Sequence, residues 1–179
     1  MRVSTREKIT NALQRILRTK AFADVSVGDI CGEIDISRTT FYRYFQDKYE
    51  CMNWVYQNQI RLILEKNRKI DDWKATVYDT VCALYERKEF FSKVSAYKEQ
   101  NSLMDCIFET SYDYLEGMLK QELQTDELPV DLHWAICMYA KGSIYLLENW
   151  LRDGCKESTE FIAQILCDNV PLKIAKYFR

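Results

Sequence analysis

Between Ser37 and Lys48 the chain reads Ser-Arg-Thr-Thr-Phe-Tyr-Arg-Tyr-Phe-Gln-Asp-Lys, and few structures suit that stretch. Ser37 is a helix cap, and Phe41 and Phe45, four residues apart, share one helical face and can anchor it to a core. The opposite face then presents Arg38, Thr39, Tyr42 and Arg43 to the outside. Guanidinium groups and hydroxyls in such a row bond phosphate oxygens and base edges of a DNA groove. The preceding residues fit the same arrangement. Ser26-Val-Gly-Asp29 is a serine with an acid three residues on, which marks a helix start. Val27, Ile30, Cys31 and Ile34 follow at helical spacing, and Asp35-Ile36 is a break before the second cap. Two short helices joined by a tight turn, the second basic and aromatic, form a helix-turn-helix. The turn needs a residue that tolerates positive φ, and Asp35 does so better than most non-glycine residues.

Upstream, Ser4-Thr-Arg-Glu7 is a capping box that opens a first helix striped by Ile9, Ala12, Leu13, Ile16 and Leu17. Phe22 and Val25 plug the core of the resulting three-helix unit. Downstream, Asp47-Lys-Tyr-Glu50 starts a long helix that reaches the region of Arg68.

On these residues the first ~55 positions resemble the DNA-binding domain of the TetR/AcrR transcriptional regulators. The resemblance runs through the capped first helix, Lys20-Ala-Phe22, Ser26-Val27, Asp29-Ile30-Cys31, Ile36-Ser37, Thr40-Phe41-Tyr42-Arg43-Tyr44-Phe45 and Lys48. It implies that Thr40 and Tyr42 contact DNA backbone and bases and that Lys48 grips a phosphate. With the outward face, the candidate DNA contacts are Ser26, Ser37, Arg38, Thr39, Thr40, Tyr42, Arg43, Tyr44 and Lys48. Gly28 departs from the family pattern, standing where a basic residue is frequent, and Asp35 stands where glycine is frequent.

Only five glycines and two prolines occur in 179 residues, which disfavours a turn-rich all-β fold, and the rest of the chain is helical in pattern. Asp71 and Asp72 open a helix with Trp73, Val77, Val81, Leu84 and Tyr85 inside. Glu89 to Tyr97 is a short helix, broken by Lys98-Glu-Gln-Asn101; Ser102 caps a long one bearing Met104, Ile107, Phe108, Tyr112, Leu115 and Leu119. After the Leu128-Pro129 boundary, an apolar helix runs from Asp131 to about Leu151 and stops at Asp153-Gly154. Ser158 opens the last helix, toward Cys167, with Pro171 forcing a break. The expected fold is all-α with about nine helices. Residues 1–50 form the helix-turn-helix domain, and residues 51–179 form a ligand-binding and dimerisation domain.

The C-terminal half is also similar to one subgroup of TetR regulators, which includes those of dihydroxyacetone kinase operons. The similarity rests on Tyr97-x-x-x-Asn101-Ser102, Tyr139-Ala-x-Gly142, Trp150-Leu-x-x-Gly154 and Glu157-Ser158. It implies a dimer built from the last two long helices and an effector pocket enclosed by the middle ones. Trp134, Met138, Tyr145, Trp150, Phe161 and Ile165 are the candidate dimer residues; Tyr85, Met104, Phe108 and Tyr112 are the candidate pocket walls, suited to a neutral or aromatic effector.

Net charge is −2, but it is unevenly spread: residues 1–50 carry nine Lys/Arg against seven Asp/Glu, so the basic excess lies at the proposed DNA face. Neither a transmembrane run nor a signal peptide is expected, which points to the cytoplasm. Seven cysteines without a Cys-x-x-Cys pair read as reduced and mostly buried, not as a metal site. His133 is the only histidine, with no nucleophile partner, so an all-α enzyme lacks its catalytic constellation; no catalytic residue, metal or cofactor is expected. Gly142 fits either close helix approach at a dimer seam or simple packing. The expected protein is a DNA-binding regulator and not an enzyme. It binds a palindromic double-stranded operator as a homodimer, away from membranes, and represses until an unknown small-molecule effector releases it. The alternative is a regulator or co-activator without a small-molecule site, controlled by a protein partner.

Overall fold

In a computed structural model describing residues 3–67, 72–97 and 102–178, the chain folds into ten α-helices, with no strand among those residues. They are α1 (Thr5–Ile16), α2 (Val27–Glu33), α3 (Arg38–Tyr42), α4 (Lys48–Lys66), α5 (Trp73–Glu86), α6 (Lys88–Ser95), α7 (Leu103–Leu123), α8 (Val130–Arg152), α9 (Thr159–Asp168) and α10 (Leu172–Ala175). A short 3-10 turn, Phe22–Asp24, joins α1 to α2. Helix α10, just past Pro171, is the one element the sequence pattern did not anticipate. The proposed helix end at Arg68, the acid Asp71 and the break at Lys98–Asn101 lie outside the described residues.

Local signals set the boundaries. Ser4, Ser26, Ser37, Asp47, Ser102 and Ser158 each accept a backbone N–H from the third residue of the helix they precede. Ser4–Glu7 and Ser26–Asp29 are complete reciprocal boxes. Asp35 adopts φ 52°, so the turn between α2 and α3 uses the left-handed region. Gly154 takes φ 86° and ends α8, where the Cys155 N–H donates to the Trp150 carbonyl at 2.8 Å.

Helices α1, α2 and α3 close around Ile9, Leu13, Ile30, Phe41 and Phe45, all essentially inaccessible. Helix α4 leaves this unit, packing on α1 near its start and on α5 and α7 further along. The remaining helices pair mainly as α5 with α9 and α7 with α8. One continuous buried cluster runs from Ile9 to Ile174, so α4 ties the N-terminal unit mechanically to the rest.

Candidate functional site

The exposed face of α3 is built on a rigid base. Phe41 and Phe45 are buried beneath it, and the Ile36 N–H donates to the Cys31 carbonyl at 3.1 Å, closing the turn from α2. Arg38, Thr39, Tyr42 and Arg43 stand exposed on the opposite side, and Thr40 is half-buried with its hydroxyl 2.9 Å from the Ser37 hydroxyl. The Tyr42 ring lies edge-on to Phe41 at 5.6 Å, which steadies it without hiding its hydroxyl end. Tyr44 is half-buried and packs toward the core, and Arg6 donates to its carbonyl at 3.0 Å. Ser26 and Ser37 are occupied as helix caps.

Two basic residues expected at the surface are placed differently. The Lys48 ammonium donates to the carbonyls of Phe22 (3.0 Å), Ala23 (2.9 Å) and Val25 (2.8 Å), and sits 5.0 Å from the centre of the Phe22 ring. Its three protons therefore tie α4 to the α1–α2 connection, which departs from the phosphate role implied by resemblance. Arg38 explains the missing side chain at Gly28: a Cβ there would lie 3.0 Å from an Arg38 Nη atom, so the α3 guanidinium covers the space. Beside it, Lys20 pairs with Asp29 at 2.8 Å. That contact, followed by bonds from Ser26, holds the Asp29 carboxyl far below its ordinary value.

An interior cavity of about 80 Å³ lies among α4, α5, α7 and α8. Tyr56, Ile60 and Leu64 of α4 form one wall and Trp73, Thr76 and Val77 of α5 another. Ser111 and Tyr114 of α7, with Tyr139 and Ser143 of α8, complete the polar part of the lining. None of the four expected wall residues borders it, and each has a reason. Tyr85 lies on the outer side of α5, stacked on Trp150 at 6.0 Å. Met104, Phe108 and Tyr112 share a different stripe of α7. Phe108 sits under the Lys141 ammonium at 3.9 Å, and the Tyr112 hydroxyl meets His133 Nδ1 at 2.6 Å and Glu116 at 3.1 Å. Burial, then the Glu116 contact, pushes the Tyr112 hydroxyl up to about 12. His133 is thus a half-buried, bonded polar residue, as its setting in the sequence suggested.

Helix α8 carries an uncovered apolar row: Val130, Trp134, Met138 (75% exposed) and Tyr145 (70% exposed). Gly142 lies in the same row with no atom within 4 Å of the position its Cβ would take. Phe161 is exposed on α9, and Ile165 is half-buried. Trp150 departs from the expected dimer set. It is 3% exposed, its ring N–H donates to the Glu157 carbonyl at 3.0 Å, and it belongs to this chain's own core. Val130 and Leu172 are exposed apolar residues that the sequence reading missed; Val130's four-residue spacing from Trp134 and Met138 was the available signal.

A capped, base-anchored α3 with a polar outer face, carried on an all-helical body, defines a helix-turn-helix DNA-binding regulator. Comparison with known proteins makes the class specific. Residues 9–54 match the family described as bacterial regulatory proteins, tetR family, and residues 71–171 match a transcriptional regulator C-terminal region of that family. The chain belongs to the TetR family and is a TetR-type DNA-binding transcriptional regulator, not an enzyme; members of this family bind DNA and dimerise. It is 26% identical over 149 residues to the HTH-type dhaKLM operon transcriptional activator DhaS of Lactococcus lactis subsp. lactis (strain IL1403), covering 79% of this chain and 76% of that protein. The solved structure of the dihydroxyacetone kinase operon activator DhaS superposes with a TM-score of 0.71 at 19% identity, covering 99% of this chain and all (100%) of that one. A TetR transcriptional regulator from Rhodococcus sp. RHA1 gives 0.57 at 14% identity, over 92% of this chain and 94% of that one. No described helix is long and apolar enough to cross a membrane.

Proposed function

We propose that residues 1–50 bind one half of a palindromic operator through the outer face of α3, and that residues 51–179 hold the dimer together and regulate it. The observation that carries this reading is the division of α3 into a buried Phe41–Phe45 side and an exposed Arg38, Thr39, Tyr42 and Arg43 side. Five helical residues read too few bases alone, so two copies related by two-fold symmetry supply the specificity. Trp134, Met138, Gly142 and Tyr145 form the seam, with Phe161 and Ile165 beside it, and the bare Gly142 lets two α8 helices approach closely. The setting is the cytoplasm, where operator DNA is found; seven unpaired thiols are in keeping with it.

A small molecule in the regulatory half controls the distance between the two α3 helices. The joints support such coupling. Lys93 of α6 donates to the Leu17 carbonyl and, at 2.8 Å, to the Arg18 carbonyl at the end of α1. The Tyr97 hydroxyl donates to that of Tyr49 at 2.9 Å, and Lys48 grips the α1–α2 connection. Displacement of α4 or α6 therefore reorients the DNA-binding unit. Repression by occluding a promoter is one outcome. Activation is the second reading, favoured because the similar Lactococcus protein is named an operon activator; control through a protein partner instead of a small molecule is the remaining alternative.

Selection from a random duplex library followed by gel shift tests the core of this reading. The selected site should be two-fold symmetric. Arg43→Ala should relax base preference by about 1–3 kcal/mol at one position per half-site if its contact is bidentate. Selection that yields no enriched sequence, from protein folded by circular dichroism, rejects it. A reporter with the site placed upstream of or within a promoter then separates activation from repression.

A further inference from the structure

We infer that the interior cavity takes a small uncharged organic molecule that offers a hydrogen-bond acceptor, a carbonyl or ether oxygen, to the indole N–H of Trp73. The inference rests on reading residues 51–179 as the regulatory half and names the ligand chemistry of that half.

The lining excludes charge. No Asp, Glu, Lys, Arg or His borders the cavity among the described residues. A ligand carrying a net charge would lie in a largely apolar enclosure with no counter-charge, which costs several kcal/mol. The phenols do not supply charge either, since burial raises the Tyr56, Tyr114 and Tyr139 hydroxyls above their ordinary value. Size is limited as well. About 80 Å³ admits about five to eight water-sized atoms at roughly 10–15 Å³ each.

The polar lining is mostly saturated. Tyr139 donates to the Leu166 carbonyl at 2.8 Å. Tyr114 donates to the Asn67 carbonyl at 2.8 Å, and Thr76 donates to the Asp72 carbonyl at 3.0 Å while also lying 3.0 Å from the Tyr114 hydroxyl. Thr76 and Tyr114 thus have two protons for three contacts and none to spare. Trp73 differs. It is 93% buried, borders the cavity, and its Nε1–H has no hydrogen-bond partner. An indole N–H only donates, so its missing partner is an acceptor. Buried donors left unpaired are rare and costly, and a ligand oxygen is a partner that removes the cost only when bound. Tyr56, Ile60 and Leu64 place the same cavity against α4, the helix that begins at Lys48 beside the DNA-binding unit, so occupancy bears on that helix.

The test uses the full chain and calorimetric titration with four probes of similar size: cyclohexanone, methylcyclohexane, cyclohexylammonium and cyclohexanecarboxylate. Cyclohexanone should bind, and both ions should bind about a hundredfold more weakly or not at all. Trp73→Phe should weaken cyclohexanone about three- to tenfold and leave methylcyclohexane unchanged. Ala140→Phe, which fills the cavity, should remove both. Either ion within tenfold of the ketone overturns the inference, as does binding of no probe; the ion comparison uses the unmodified chain and so stands even if a variant fails to fold. A folded Trp73→Phe protein with unchanged ketone affinity also overturns it. Operator affinity is measured on the same preparations: intact operator binding alongside any of these failures rejects the ligand class and leaves the DNA-binding regulator standing.

Discussion

Replacing Lys48 by methionine separates two roles for this residue, a phosphate contact or an internal tie. Methionine keeps most of the aliphatic stem and removes the ammonium. Three carbonyls then lose their donor, those of Phe22, Ala23 and Val25, at present 3.0, 2.9 and 2.8 Å away. The Phe22 and Val25 bonds are partly buried, whereas the Ala23 bond is exposed, and water can replace it there. Hydrogen bonds from a charged donor contribute about 1.5–3 kcal/mol each, and two such bonds at the low end give about 3 kcal/mol. The ring contacts with Phe22 and Tyr49 add about 0.5–1 kcal/mol, and freeing a long side chain offsets a similar amount. The variant should therefore lose about 2–4 kcal/mol of stability. Urea unfolding followed by circular dichroism, at one fixed protein concentration because dimerisation contributes to stability, measures it. The salt dependence of operator binding gives the second reading. If Lys48 grips a phosphate, the substitution lowers the slope of log K against log salt by about 0.9. If it is an internal tie, the slope stays unchanged and affinity falls through misplacement of α3. A variant as stable as the wild type within about 0.5 kcal/mol, with the slope reduced by one phosphate, would refute the reasoning.

Three further outcomes follow from the geometry. Ser37→Ala removes the cap of α3 and should cost about 1 kcal/mol in the same unfolding assay; a cost below about 0.3 kcal/mol would show that the cap bond at 3.0 Å is replaced by solvent. Asp29 has a native carboxyl held below its ordinary value of 3.8, first by Lys20 and then by Ser26, so the unfolded chain binds more protons in the acid range and stability rises with pH there. This contribution is complete above the ordinary value and is lost as pH falls through the native one, so Asp29→Asn should flatten the fall in urea midpoint below about pH 4; parallel curves for the two proteins would refute it. Met138→Glu and Tyr145→Glu place a charge in the exposed row of α8, and each should shift the dimer toward monomer at micromolar concentration by sedimentation while circular dichroism stays unchanged.

What the sequence made legible was what is decided within a few residues. A serine three positions before an acid specifies its own cap bond, so Ser4, Ser26, Ser102 and Ser158 could be read directly, and Asp35 could be placed in the left-handed region from its neighbours alone. Phe41 and Phe45 were legible for the same reason: a five-residue helix has only one side on which two large rings can be buried. The cavity was not legible, because α7 has apolar or aromatic residues on more than one side. Met104, Phe108 and Tyr112 form as good a stripe as Ser111, Tyr114 and Leu115, and only the position of α8 decides which stripe meets Lys141 and His133 and which meets open space. Trp150 and Tyr145 pose the same problem on α8. Both are large aromatics on a helix apolar all round, yet the Glu157 carbonyl, reached only after the chain turns at Gly154, draws the Trp150 ring inward and leaves Tyr145 outside. Lys48 shows the limit most clearly. Its position after α3 suits a phosphate contact as well as an internal one, and what separates them is the 3-10 turn at Phe22–Asp24. That turn lies more than twenty residues earlier, and it directs the Phe22, Ala23 and Val25 carbonyls toward a single point. Convergence of that kind depends on how α1 and α4 pack, so no local pattern encodes it, and the charge of Lys48 goes into holding the helix-turn-helix to the helix that carries it.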